Sequence, residues 1–331
     1  MKKRLALTKD GKMTYCTASE ENIGKRRCNH IAHQRLDEST KEFCERIRDL
    51  KENNSNNRND IENLDTEEKI KLINSENVSD KILDILINDE DWHVRAAVAE
   101  CGRDKDLDIL VNDEDEYVRH AVARCGRDKD LDILINDEDY WVRYAVAEHG
   151  RDKDLDILVN DKNVSVRAAV AECGRDKDLD VLLKDEDWHV REVVAKCGRN
   201  KDLDVLLKDE DYHVRASVAR RGRLQDLDIL IHDEDYHVRD AVAKCGRDKD
   251  LDVLVKDKEW VVRCCVARYG RDKDLDILVN DKDWLVREVI AEHGRDKDLD
   301  ILINDKNNRV RSIVVLNKNF KYDKRLKDYT W

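Results

Sequence analysis

The fold of this chain is decided by residues 89–112, which read DEDWHVRAAVAECGRDKDLDILVN. The pattern returns every 24 residues without insertion or deletion, and an Asp always stands six residues before the Arg that marks the period. A fixed period of this kind indicates a solenoid, in which each copy packs against its neighbours. The periodic residues are Arg95, Arg119, Arg143, Arg167, Arg191, Arg215, Arg239, Arg263, Arg287 and Arg311.

Each copy predicts a short helix of barely two turns. Leu107, Leu110 and Val111 are spaced i, i+3 and i+4, which places them in one apolar stripe. Asp104 stands just before this stripe and is expected to cap the first turn.

Each copy also predicts a second helix. Asp91 is placed to cap it, while Val94 and Val98 lie on its apolar face. Gly102 is expected to end the helix in the left-handed conformation, and Gly recurs at this position through Gly294. Helices this short are marginal alone, so we expect each one to bury its apolar face against the next copy.

The motif D-x5-V-R-x2-V-A followed by L-x2-L resembles the HEAT-like repeats, and the 24-residue period is most similar to the leucine-rich repeat variant family. The resemblance covers about Asp89 to Val315. It implies an all-α fold, a right-handed superhelix (α-solenoid) of about ten two-helix repeats, with a 3₁₀ form open for one helix of each pair. The chain has no proline, so the turn between helices falls to Gly102, Arg103 and Asp104.

The same resemblance implies a ladder in which the recurrent Asp and Arg bond within and between repeats. A track of Arg residues for phosphate is the alternative, but an Asp in every copy favours the ladder. The ladder residues are Asp89 and Arg95, Asp113 and Arg119, Asp137 and Arg143, Asp185 and Arg191, Asp209 and Arg215, and Asp233 and Arg239.

Composition limits the class of protein. Of 331 residues, 42% are charged and the net charge is −13, but the apolar residues keep helical spacing, so we expect an ordered array. No apolar run reaches the roughly 20 residues that span a bilayer, and no signal peptide follows Met1. A cytoplasmic protein with free thiols is therefore expected.

Residues 1–36 differ in kind, with nine Lys and Arg against three Asp and Glu. Cys16, Cys28, His30 and His33 are the ligand types that zinc prefers, and they predict a structural zinc site with both histidines on a helical turn. Unrelated Cys and His residues are the alternative. Three basic residues follow Gly24 and are candidate contacts for phosphate or an acidic partner: Lys25, Arg26 and Arg27.

Five segments are predicted. They are the basic Cys/His module (1–36), a charged helix and Asn-rich linker (37–65), an N-terminal capping repeat (66–88), the tandem repeats (89–315) and a C-terminal cap (316–331). In the capping repeat, Lys71 occupies the position of the periodic Arg.

Aromatic residues gather just before the periodic Arg. These rings are predicted either to form a ridge for a partner or to staple one copy to the next. They are Trp92, Tyr117, Tyr140, Trp141, Trp188, Tyr212, Tyr236, Trp260 and Trp284.

The sequence offers no convincing catalytic constellation, since Cys264 and Cys265 read as packed thiols and the recurrent histidines as surface residues. The favoured function is therefore a non-enzymatic scaffold for a basic protein or peptide, because an acidic surface attracts basic partners. Two alternatives stay open: nucleic-acid binding through the basic metal module, and an acidic mimic of nucleic acid that occupies a basic protein.

Overall fold

The computed structural model describes residues 4–8, 13–16, 30–33, 61–75 and 78–317. The chain divides into two compact units, Met1–Asp154 and Leu155–Trp331.

The first unit begins with three short strands, β1 (Arg4–Thr8), β2 (Met13–Cys16) and β3 (His30–His33). They form an antiparallel sheet in the order β2-β1-β3. Leu5 pairs with Tyr15, and Leu7 pairs with Ala32. The predicted helical turn at His30 and His33 is therefore wrong, because these residues begin and end a strand.

The rest of the described chain consists of helices, and the all-α prediction for the repeats is confirmed. The long helices are α1 (Thr66–Ile73), α3 (Trp92–Glu100), α5 (Glu116–Cys125), α7 (Tyr140–Glu148), α9 (Val164–Glu172), α11 (Trp188–Cys197), α13 (Tyr212–Arg221), α15 (Tyr236–Lys244), α17 (Trp260–Tyr269), α19 (Trp284–His293) and α21 (Asn308–Leu316).

A short helix follows each of the first ten long helices. All are α-helical, so the 3₁₀ form left open by the family resemblance is not adopted. They are α2 (Asp80–Leu86), α4 (Asp104–Leu110), α6 (Asp128–Leu134), α8 (Asp152–Leu158), α10 (Asp176–Leu182), α12 (Asn200–Leu206), α14 (Leu224–Leu230), α16 (Asp248–Leu254), α18 (Asp272–Leu278) and α20 (Asp296–Leu302).

Within each unit the core lies between successive repeats. Val94, Val98, Leu107 and Leu110 are buried, as their spacing predicts. Long helices pack against the long helices of adjacent repeats, and the small side chain of the buried Ala99 permits close approach. The free energy of folding therefore comes largely from packing between copies.

The cap of the long helix is as predicted, and the cap of the short helix is not. Asp91 Oδ1 accepts the backbone N–H of His93 at 3.0 Å. Asp104 is wrong as a cap, because Arg103 is the N-cap residue and Asp104 is the first residue of α4. Its charge still lies in the first turn, where the helix dipole favours a carboxylate.

The glycine at the end of the long helix adopts two conformations. It is left-handed, as predicted, at Gly102, Gly126, Gly150, Gly174, Gly222 and Gly246. The prediction is wrong at Gly198, Gly270 and Gly294, where φ is negative and the backbone is extended.

Candidate functional site

Within each unit the periodic Arg joins one repeat to the next. Arg95 Nε and Nη2 donate to the two carboxylate oxygens of Asp113 at 2.7 and 2.8 Å. Arg95 Nη1 donates to the backbone carbonyls of Asp89 and Glu90 at 2.8 and 3.2 Å. The guanidinium therefore binds the carboxylate of the following repeat and the main chain of its own repeat.

The same arrangement recurs in both units. Arg191 donates to Asp209 at 2.7 Å, and this carboxylate raises the pKa of the guanidinium. Burial and saturated donors leave these Arg residues poorly suited to a phosphate track. The other pairs are Arg119 with Asp137, Arg167 with Asp185, Arg215 with Asp233, Arg239 with Asp257, Arg263 with Asp281 and Arg287 with Asp305.

Arg143 and Lys69 add two further contacts to the ladder. Arg143 Nη1 donates to the carbonyls of Asp137 and Glu138 at 2.7 and 3.0 Å. At the start of the array, Lys69 Nζ lies 2.8 Å from Asp89, while Lys71 binds Glu67 on its own helix. The assignment of Lys71 to the Arg position is therefore wrong, since Lys69 reaches the next repeat.

A second Arg ladder, which the sequence did not reveal, runs along the short helices. Arg103 binds both carboxylate oxygens of Asp106, at 2.6 and 2.8 Å, and Asp106 is only 1% exposed. Arg103 Nη2 also donates to Asp84 of the preceding repeat at 3.0 Å. The invariant spacing of Arg103 and Asp106 in GRDKD was the available signal, but it reads equally well as a turn.

In every repeat the loop between the two helices exposes a charged residue five before the ladder Arg, and we call this series the rim. In three repeats the same loop exposes a second charge two residues earlier, at Lys184, Lys208 and Lys256. Glu114, Glu210 and Glu234 of the rim have side chains 92%, 89% and 93% exposed. The ladder Arg holds the backbone of the rim in place, since Arg215 Nη1 donates to the carbonyl of Glu210 at 3.0 Å.

Open grooves lie between successive rim residues. In the first unit, Glu90, Glu114, Arg95 and Ile109 line a groove of about 530 Å³. In the second unit a groove of about 410 Å³ is lined by Glu210, Asp211, Tyr212, Arg215, Glu234 and Asp235. Each groove is large enough for at least one side chain of a partner.

Rings stack from repeat to repeat beside the rim. In the first unit the Trp92 ring stacks on Tyr117, with centroids 4.6 Å apart. In the second unit Trp188 stacks on His213 at 4.3 Å, and Tyr212 stacks on His237 at 4.8 Å. These contacts are staples between copies, as one of the two interpretations predicts.

The rings also remain accessible. Tyr117, Trp141, Trp188 and Trp260 are among the exposed large side chains, and Trp92, Tyr140, Tyr212, Tyr236 and Trp284 are half-buried. At the last repeat, Arg309 lies over the Trp284 ring, 5.5 Å from its centroid. The Nε of Arg309 also donates to Glu288. The chain therefore places one of its own guanidinium groups between a ring and a carboxylate.

A column of aliphatic residues on the short helices was missed by the sequence analysis. Ile109 is 58% exposed, and an Ile or Val stands at this position in every repeat. The first unit contributes Ile109 and Ile133, and the second contributes Ile157, Val181, Val205, Ile229, Val253, Ile277 and Ile301. Their helical spacing could have revealed them, because they lie opposite the buried leucines.

The recurrent cysteines are free thiols, as predicted for the described residues. In four repeats this position holds a side chain that contacts a carbonyl at the helix end of the previous repeat, at Cys125, His149, Arg221 and Cys245. Cys125 Sγ donates to Ala99, the ring of His149 contacts Ala123 and Arg221 donates to Lys196, all at the backbone oxygen. At these positions the shared contact explains why Cys, His and Arg are interchangeable.

Of the four candidate metal ligands, Cys16, His30 and His33 lie in described strands, and Cys28 does not. Cys16 ends β2 opposite Arg4, and His33 ends β3 opposite Ala6. Cys28, Lys25, Arg26 and Arg27 lie outside the described residues. Zinc binding and phosphate contact therefore stay predictions. Elsewhere, no cluster of three or more His, Cys, Asp and Glu side chains in the described part is arranged to hold a metal.

Comparison with solved structures identifies the family. The chain is similar to a leucine-rich repeat variant with a novel repetitive protein structural motif, with 30% identity and a TM-score of 0.51. The match covers 62% of this chain and 87% of that chain. The chain belongs to the leucine-rich repeat variant family. The resemblance inferred from the 24-residue period is thereby confirmed.

Other comparisons add little. The Escherichia coli protein YibA is 18% identical over 67% of this chain and 94% of that chain, with a TM-score of 0.32. A designed armadillo repeat protein is 13% identical over 75% of this chain and 96% of that chain, with a TM-score of 0.13. No family model and no curated protein matches the sequence. Among the described helices, none combines the length and apolar character of a membrane span.

Proposed function

We propose that this leucine-rich repeat variant is a non-enzymatic scaffold that binds a basic protein or peptide along the rim and the adjacent rings. The observation that carries the proposal is the exposure of carboxylates on consecutive repeats, with Glu210 and Glu234 about nine-tenths exposed on either side of one groove. Exposed carboxylates in a row favour cationic side chains.

The rim is pre-organised for binding. Arg191, Arg215 and Arg239 each fix a rim carbonyl through Nη1, at distances of 3.0 to 3.1 Å. Because the main chain is already ordered, a partner loses less conformational entropy of the scaffold when it binds. This property distinguishes the rim from a flexible acidic loop.

The Arg309 contact indicates which partner groups suit this surface. Its guanidinium lies over Trp284 and binds Glu288 at the same time. Cations over aromatic rings gain about 0.5 to 1 kcal/mol at exposed sites, and more where they are desolvated. Arg and Lys side chains of a partner would meet similar rings and carboxylates at Tyr212, Glu210 and Glu234.

A binding role also suits the side chains that break the repeat pattern. Burial raises the pKa of Cys264 to about 11 and that of Cys265 to about 12, so both thiols stay protonated and are weak nucleophiles. Ser217 is 1% exposed, and its hydroxyl donates to Glu192 at 3.0 Å. These groups stabilise packing between repeats.

The test is binding of a fluorescent Lys-rich peptide, measured by anisotropy. We expect the triple variant Glu186→Gln, Glu210→Gln, Glu234→Gln to weaken binding about tenfold, since each exposed pair contributes up to about 1 kcal/mol. The matched control changes three exposed residues at the other end of the long helices, Glu100→Gln, Glu148→Gln and Glu172→Gln. It should weaken binding by less than about threefold.

Two results would contradict the proposal. Equal weakening in both triple variants would indicate attraction to net charge alone. A wild-type protein that does not bind the Lys-rich peptide at low salt would exclude the rim as a site for basic partners.

A further inference from the structure

In the second unit the rim begins with Lys162, is acidic at the next three repeats and is basic at the last three. Glu186, Glu210 and Glu234 are followed, at the same position of the next three repeats, by lysines. All six residues are exposed. The lysines are Lys258, Lys282 and Lys306.

The geometry of the rim is unchanged where the sign reverses. Arg239 Nη1 donates to the carbonyl of Glu234 at 3.0 Å, and Arg263 Nη1 donates to the carbonyl of Lys258 at 3.1 Å. The Nε of both ladder residues lies 2.6 Å from its Asp partner. The main chain of the rim therefore keeps its geometry across the switch, while the charge of its exposed side chain reverses.

The lysines of the rim carry free charges. Across the described residues, the side chains of Lys258, Lys282 and Lys306 form no ion pair. On the acidic half, Glu210 and Glu234 lie 3.6 and 4.0 Å from ladder guanidinium groups already bound by Asp. Both halves of the rim are thus available to a partner.

We propose that the occupant of this rim is an extended peptide segment whose two halves carry opposite charge. Its basic side chains would lie opposite Glu186, Glu210 and Glu234, and its acidic side chains opposite Lys258, Lys282 and Lys306. The inference rests on the proposed function and deepens it. It adds that the charge switch fixes the direction in which the segment lies, because the reversed register places like charges together.

Repeat spacing sets the spacing of the partner's charges. Packed helices lie about 8 to 10 Å apart, and a chain in the polyproline II conformation rises about 3.1 Å per residue and places every third side chain on the same face. One repeat therefore corresponds to about three residues of the partner. The segment that fits best carries a charge at every third position, three of one sign and then three of the other.

The experiment compares labelled 18-residue peptides with Lys and Glu at every third position and Gly or Ser elsewhere. Two are diblock peptides, with the Lys half first or the Glu half first. The third has the same composition but alternates Lys and Glu, and the fourth carries Lys only. We expect the better diblock to bind wild-type protein at least about tenfold more tightly than the alternating peptide.

Substitutions in the rim test whether the preference for the diblock peptide depends on the change from Glu to Lys along the rim. Lys258→Glu, Lys282→Glu and Lys306→Glu together make the second half acidic, so the diblock preference should vanish and the all-Lys peptide should bind more tightly. The matched control changes the same net charge at exposed positions away from the rim, with Lys81→Glu, Arg124→Glu and Arg268→Glu. It should keep the diblock preference. Circular dichroism checks that all variants are folded.

The outcomes separate the two proposals. If the all-Lys peptide binds wild-type protein and the diblock has no advantage, the inference is wrong and the proposed function stands. If no peptide binds, both are wrong. If the chain self-associates and the rim variant abolishes this, a second copy is the occupant and the peptide proposal is overturned.

Discussion

At the scale of the residue, the ladder Arg is held by four hydrogen bonds, as Arg191 illustrates. Arg191 donates twice to Asp209 and once each to the carbonyls of Asp185 and Glu186. Asp209 is also satisfied from the other side, because its Oδ1 accepts the N–H of Asp211 at 2.9 Å. Removal of the guanidinium would leave a buried carboxylate and two carbonyls without their donors.

We therefore expect Arg191→Ala to lower the free energy of unfolding by about 3 to 5 kcal/mol, the usual cost of removing one partner of a buried ion pair. Lys201→Ala is the control, because Lys201 pairs with Asp180 on an exposed surface and should contribute less than about 1 kcal/mol. Urea unfolding measures both variants. Equal midpoints would show that the ladder Arg is not structural.

The adjacent thiols give a second expectation at this scale. The pKa of Cys264 is about 11 and that of Cys265 about 12, raised mainly by burial, so little thiolate exists at pH 8. Iodoacetamide at pH 8 should label both at least about tenfold more slowly than the exposed Cys101 and Cys197, as followed by peptide mass spectrometry. Equal labelling rates in folded protein would contradict the burial of Cys265 and the partial burial of Cys264.

The residues of the ladder could be predicted from the sequence, but their pairing could not. Because the period is strict, the sequence alone does not distinguish Asp89 from Asp113 as the partner of Arg95. The structure chooses Asp113 for the guanidinium and leaves only the main chain of Asp89 as an acceptor. That choice depends on how far each repeat is rotated from the next, and no local pattern encodes this rotation.

At the scale of the element, the caps decide where the long helices begin. The cap of α3 is reinforced by the preceding repeat, since Thr66 Oγ1 donates to Asp91 Oδ2 at 2.6 Å. This bond and the contact with His93 lower the pKa of Asp91 to about 2. Because the folded pKa lies below the unfolded value of about 3.9, the stabilisation is present above about pH 4 and is lost as the pH falls towards 2.

Thr66→Val should therefore lower the free energy of unfolding by about 1 to 2 kcal/mol at pH 7, and the difference from wild type should shrink below pH 3. Urea unfolding at pH 7, 4 and 2.5 measures this. Ser75→Ala is the control, because the Ser75 hydroxyl donates to a carbonyl of Leu72 and has no titrating partner. A pH-independent effect of Thr66→Val would contradict the assigned bond.

Gly198 and Gly222 each end a long helix but differ in conformation, so substitution of each by Ala tests the two conformations separately. A Cβ at Gly198 would lie 2.3 Å from the carbonyl oxygen of Val194, whereas nothing lies within 4 Å of one at Gly222. Gly222→Ala should cost about 1 to 2 kcal/mol, because φ is +72°. Gly198→Ala should cost more, up to about 3 kcal/mol, because a backbone atom must move. Thermal unfolding gives the order, and the reverse order would contradict the two conformations.

Secondary structure could be predicted from the sequence where the apolar residues follow one helical period. The helices follow from Leu107, Leu110, Val94 and Val98, whose spacing has one interpretation. The sheet of residues 4–8, 13–16 and 30–33 lies outside the repeats, and its strands have no comparable pattern. The charge switch at Lys258 was visible in the sequence, but its meaning depends on the rim being exposed.

At the scale of the whole molecule, the period makes the repeats exchangeable within a unit. In the second unit, Arg167 binds Asp185 through Nε at 2.6 Å, and Arg191 binds Asp209 through Nε at 2.7 Å. The interface between one pair of repeats is thus nearly the same as that between the next pair. Stability in such an array is approximately a sum of repeat and interface contributions.

Deletion of residues 185–208 tests this directly, because it removes one period and brings Asp209 to the place where Arg167 now meets Asp185. We expect a folded protein with unchanged ellipticity per residue, a cooperative transition and a melting temperature within about 5 °C of wild type. Deletion of residues 185–196 removes half a period, so it leaves Arg167 without an Asp at the right spacing and joins Lys184 to the end of α11. That variant should lose helicity and cooperativity in circular dichroism melts. Comparable melts for the two deletions would show that the ladder and the 24-residue register do not hold the repeats together.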